Sequence, residues 1–61
     1  MNFNKLLALC KEKGITFHKL EKECGIGNGI IARWKTSSPT VANLKAVADY
    51  FGVTMDELLR D

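Results

Sequence analysis

Asn28 and Arg33 stand five residues apart with Gly29 and Ala32 between them, and these four residues carry the most suggestive chemistry in the chain. A guanidinium is a planar fork of donors that matches paired acceptors, and a side-chain amide both donates and accepts across one edge. Small residues beside them leave room for close approach. That is equipment for recognising a flat, polar edge by hydrogen bonds. It is not equipment for breaking bonds, because no nucleophile–base pair, metal-ligand constellation or phosphate loop accompanies it.

The elements that must carry these residues follow from helical spacing, which recurs throughout the 61 residues while alternation of period two does not. Phe3, Leu6, Leu7 and Cys10 form one stripe with Leu9 on its flank. Asn2 suits the cap before it and Gly14 the left-handed position after it. Thr16 caps a second helix, Ile15 staples onto Leu20, and Gly25 ends it. Two residues, Ile26 and Gly27, then lead to a third helix over Asn28 to Lys35, capped by Gly27, with Ile26 stapled to Ile31 and with Gly29 as an interior weakness. After the turn Thr36-Ser37-Ser38-Pro39, Thr40 caps a fourth helix with the stripe Val41, Leu44, Val47, Ala48 and Phe51, ended by Gly52. Thr54-Met55-Asp56-Glu57 is a capping box opening a fifth, with Val53 stapled to Leu58. The expected fold is all-α, five short helices in a single domain over 1–61.

Charge is divided unevenly along this chain. Residues 1–35 hold seven basic and three acidic residues, whereas 36–61 hold two basic and four acidic ones, within an overall net charge of +2. A basic front suits a polyanion-binding module, and a solvated surface with a chance bias has the same composition. The two cysteines, Cys10 and Cys24, sit on apolar stripes, make no zinc spacing, and suit a reducing compartment. No metal or cofactor is expected. No apolar run is long enough for a membrane span, and Met1-Asn2-Phe3-Asn4-Lys5 does not begin a signal peptide.

The tight glycine turn between the second and third helices, over about 16–35, has the pattern of a helix-turn-helix, whose second helix can enter the major groove of double-stranded DNA. Ile31 and Trp34 point together toward a core, and Gly29, Ala32 and Arg33 point away, with Asn28 and Lys35 at the edges. The run Gly25-Ile26-Gly27-Asn28-Gly29-Ile30-Ile31-Ala32-Arg33-Trp34-Lys35 resembles the recognition segment of phage-repressor and Cro-like (xenobiotic-response-element) regulators. Leu44 to Leu59 is similar to the last two helices of that family, and Leu6, Leu9 and Lys13-Gly14-Ile15-Thr16 fit its opening.

The resemblance implies a lambda-repressor-like domain and a transcriptional regulator, a repressor acting by operator occupancy. It further implies a two-fold dimer on a palindromic site and a cytoplasmic, nucleoid-associated protein of a bacterium or phage. An antitoxin or adaptor that uses the same fold to bind protein is the alternative. By position, Asn28, Gly29, Ala32 and Arg33 take the base-facing places, although Arg33 and Asn28 equally suit phosphate contacts and Arg33 a solvated charge. Thr16, Phe17, His18, Lys19 and Gly27 take places along the phosphate backbone, as do Lys35, Thr36, Ser37 and Ser38 on the next stretch. A weak homodimer through Leu58 and Leu59 is expected.

Four positions depart from the family pattern. Glu21 stands where a small Ala usually packs between the motif helices, so it is expected to reach Lys19, Lys22 or Arg33 or to hold the helices apart. Gly27 replaces a Ser or Thr cap. Cys10 and Lys35 replace an Arg–Glu ion pair, and Phe17 replaces a Gln.

Overall fold

Three helix endings repeat one device. Gly14, Gly25 and Gly52 adopt φ of 71°, 69° and 70°, and the β-branched residue after each donates its amide back five positions. Ile15 bonds the Cys10 carbonyl at 3.0 Å, Ile26 that of Glu21 at 2.8 Å, and Val53 that of Ala48 at 3.0 Å. This left-handed glycine closure satisfies carbonyls that a helix end otherwise leaves bare. The starts are equally regular. Asn2, Thr16, Thr40 and Thr54 accept the amides of Lys5, Lys19, Asn43 and Glu57 at 3.0–3.1 Å.

The computed structural model describes residues 1–60; Asp61, counted above in the acidic half and in the 1–61 domain, lies outside them. Between these caps run α1 (Phe3–Lys13), α2 (Phe17–Cys24), α3 (Val41–Phe51) and α4 (Met55–Leu59), with a 3-10 helix, Ile31–Lys35, between α2 and α3. The described residues are therefore all-helical, with four α-helices rather than five. The third expected helix is the one that differs. Residues 28–30 form a turn, Gly29 takes φ 81°, and only Ile31–Lys35 coil, in the tighter 3-10 form. The link from α2 is accordingly six residues, Gly25 to Ile30, not two. Gly27 does not cap a helix; its carbonyl accepts the Ile30 amide at 3.2 Å within the turn.

The core gathers one or more residues from every element: Leu6 and Cys10, Leu20, Ile26, Ile31 and Trp34, Leu44, Val47 and Ala48, and Leu58. α2 packs on α3 and on the 3-10 helix, and α4 packs on both α3 and α1. Two expected core positions lie outside it. Leu7 is exposed, and Val41, the first residue of α3, is 71% exposed. Leu58 differs in the opposite sense. It is fully buried, so of the pair expected at a dimer surface only Leu59, at 51% exposure, offers apolar area.

Candidate nucleic-acid interface

Glu21 has an unusual position for an acid on a surface helix. It is 3% exposed, and its carboxylate lies beneath the turn that follows α2. Oε1 accepts the Gly29 amide at 3.2 Å and Oε2 the Ile31 amide at 3.0 Å. A buried carboxylate is costly unless its oxygens are hydrogen-bonded, and here both are. The expectation that it would reach Lys19, Lys22 or Arg33 is corrected: it makes no ion pair among the described residues. Instead it fills the space under the turn and takes one donor from the turn itself and one from the start of the 3-10 helix. The same residue's carbonyl accepts the amides of Gly25 and Ile26. One residue thus closes α2 and opens the next helix.

This anchoring sets the exposed face. Ile31 and Trp34 are buried at 0% and 4%, and Asn28, Gly29, Ala32 and Arg33 are all exposed on the other side. The indole fills the core, as its spacing from Ile31 predicts. A Cβ at Gly27 would meet Ile30 Cγ1 at 3.3 Å, a tight contact that the Ile30 side chain would have to relieve. At Gly29 a Cβ would meet nothing within 4 Å, so the positive φ is what selects glycine.

On one flank of this face lies the start of α2. Thr16 uses its hydroxyl oxygen for the Lys19 amide, while Thr16, His18 and Lys19 are exposed. Phe17 is half-buried and turns its ring inward onto Phe3, edge to face, with centroids 5.5 Å apart. The Phe17 amide belongs to the unpaired first turn of α2. On the other flank, Lys35, Thr36, Ser37 and Ser38 are exposed. The Arg33 carbonyl gathers the Thr36 and Ser37 amides and accepts the Ser37 hydroxyl at 2.9 Å. This fixes the loop and commits the Ser37 proton. Lys35 extends across to Phe3, its ammonium 5.7 Å from the ring centroid. Phe3, read from sequence as a stripe residue only, thereby joins the two flanks.

Neither half of the replaced Arg–Glu ion pair survives, since Cys10 is buried in the core and Lys35 lies on the surface. Charge is also segregated by pairing. Among the described residues the ion pairs are Lys45–Asp49 and Arg60–Asp56, both in the C-terminal half and both surface-exposed. Among the described residues, none of the seven cations in 1–35 is in an ion pair. Lys13 instead lies 4.5 Å from the Tyr50 ring centroid. Among the same residues, no group of three or more His, Cys, Asp or Glu could hold a metal, and no helix is long and apolar enough to cross a membrane.

A capped helix, a glycine turn and a second short helix that buries its apolar side while leaving small and polar residues free together define a helix-turn-helix domain. The family model for Helix-turn-helix of the HTH_3 type matches residues 6–58, and the chain belongs to that family. Its members are Cro- and C1-type DNA-binding regulators, a regulatory and not an enzymatic class. The chain matched no curated protein and no solved structure.

Proposed function

We propose that the chain is a sequence-specific repressor that acts by occupying an operator in double-stranded DNA, with no covalent step. The observation that carries this reading is the exposed row Asn28, Gly29, Ala32 and Arg33 on a segment whose opposite side, Ile31 and Trp34, is locked in the core. Arg33 suits the O6 and N7 acceptors of guanine, Asn28 suits adenine or a phosphate, and the Ala32 methyl suits that of thymine. Thr16 to Lys19 with Gly27 on one side, and Lys35 to Ser38 on the other, would hold the phosphates that flank the groove. The unpaired cations of the N-terminal half would supply the attraction to DNA that does not depend on sequence. Two copies related by a two-fold axis would read a palindromic site.

Selection of bound duplexes from a random pool tests this directly. An enriched palindrome supports operator binding by a dimer, and a single enriched half-site supports binding as a monomer. A pool without enrichment, together with binding that does not weaken as salt rises, would sink the DNA reading.

A further inference from the structure

Glu21 is the one buried charged side chain among the described residues, and it holds the reading segment by its backbone. Its two carboxylate bonds reach eight and ten residues downstream, to either side of Ile30. Between those bonds the chain makes its positive-φ turn at Gly29, and only beyond Ile30 does it coil as a 3-10 helix. Asn28 and Gly29 thus sit on a turn, and Ala32 and Arg33 on a helix. The angle between the two sets is fixed from below by a single side chain.

We propose that Glu21 is a specificity-determining positioning residue, whose bonds to the Gly29 and Ile31 amides set where Asn28 and Arg33 meet the bases. The proposal rests on the DNA reading above and deepens it. The carboxylate does not touch DNA. It acts by withdrawing two amides that could otherwise turn toward a phosphate, and by holding Gly29 in a conformation that other residues resist. A continuous α-helix over Asn28–Lys35 would carry Asn28 and Arg33 at a regular 100° per residue. The turn breaks that phase. The preferred base sequence therefore belongs to Glu21 and Gly29 together, and the exposed side chains alone do not determine it.

The test uses the full chain and the variants Glu21→Gln and Glu21→Ala. A glutamine keeps the shape but replaces one acceptor oxygen with a donor, so only one amide can remain bonded. Amide exchange followed by NMR should show Gly29 and Ile31 protected in the parent. In Glu21→Ala both should lose about tenfold or more of that protection, while the amides of α1 and α3 keep theirs. Duplex selection should then give altered preferences at the bases facing Asn28 and Arg33, with the salt dependence of binding unchanged because the phosphate contacts persist. Glu21→Gln, which keeps the shape of the buried side chain and one of its two bonds, should alter the same base positions, and it supplies the test if Glu21→Ala fails to fold. Folded variants that select the parent's sequence would overturn the proposal and leave DNA binding standing. A parent protein that selects no sequence would sink the DNA reading itself, and this inference with it.

Discussion

The Asn2 amide donates to the Leu58 carbonyl at 2.9 Å, tying the residue that caps α1 to the last turn of α4. The two ends of the domain thus share one seam. Leu58 is buried in it, and Leu59 is exposed beside it.

These neighbouring leucines should answer differently to substitution. Leu58→Ala should cost about 2–5 kcal/mol of folding stability, as deletions of fully buried leucines do. Leu59→Ser should leave the thermal midpoint nearly unmoved. If α4 forms a dimer surface, Leu59→Ser should also shift sedimentation at micromolar concentration toward the monomer. Equal loss of stability in both variants would contradict the burial pattern.

Trp34 is the largest side chain that residues 28–35 commit to the core. Trp34→Ala should cost about 3–5 kcal/mol, which consumes much of the stability of a domain this small, roughly 3–9 kcal/mol. A circular-dichroism melt superimposable on the parent's would refute the assignment.

Arg33 is exposed, so its removal should leave folding intact. Arg33→Ala should weaken binding by about 1–3 kcal/mol and relax preference at one base position. Arg33→Lys should keep the charge but lose the fork, separating base recognition from phosphate attraction. Uniform weakening across all sequences in both variants would make it a phosphate contact.

The two thiols predict an alkaline limit. Burial raises the Cys10 pKa above its ordinary 9.0, with Cys24 adding to the effect, and burial with help from Glu23 raises that of Cys24. A pKa raised by folding means that the native state holds its proton more tightly. Stability from this source is therefore full below about pH 9, where both states are protonated, and is lost as pH rises through the folded values. Melts at pH 7, 9 and 10 should show a decline that Cys10→Ala/Cys24→Ala shows less steeply, against its own midpoint at pH 7. An identical pH profile in the two proteins would remove the thiols as the cause.

Much of this fold is legible in local chemistry. Asn2, Thr16, Thr40 and Thr54 cap where expected, and Gly14, Gly25 and Gly52 end helices where expected, because a cap involves residues within one turn of each other. The segment over residues 28–35 is not legible in this way, for the opposite reason. Its shape depends on Glu21, eight and ten residues away, and periodicity has no term for a side chain that reaches under a turn. The signal available was a pair of oddities, an acid where the family pattern has alanine and a glycine inside a helix, each puzzling alone and explained by the other. Leu58 and Leu59 look alike in the sequence because a five-residue helix has too few turns to establish its phase. Of the candidate site, exposure could be read from spacing, whereas the inward turn of Phe17 onto Phe3 could not, since those rings lie on different helices.

The brevity of Ile31–Lys35 has a consequence for target choice. Five residues at about 2 Å of rise make a rod roughly 10 Å long, which spans about three base steps. A word of three letters recurs throughout any genome, far more often than a regulator has genes to control. Under the operator reading, discrimination would also draw on what lies outside the rod: Asn28 on the preceding turn, a second copy at a fixed distance, or the stiffness of the intervening DNA.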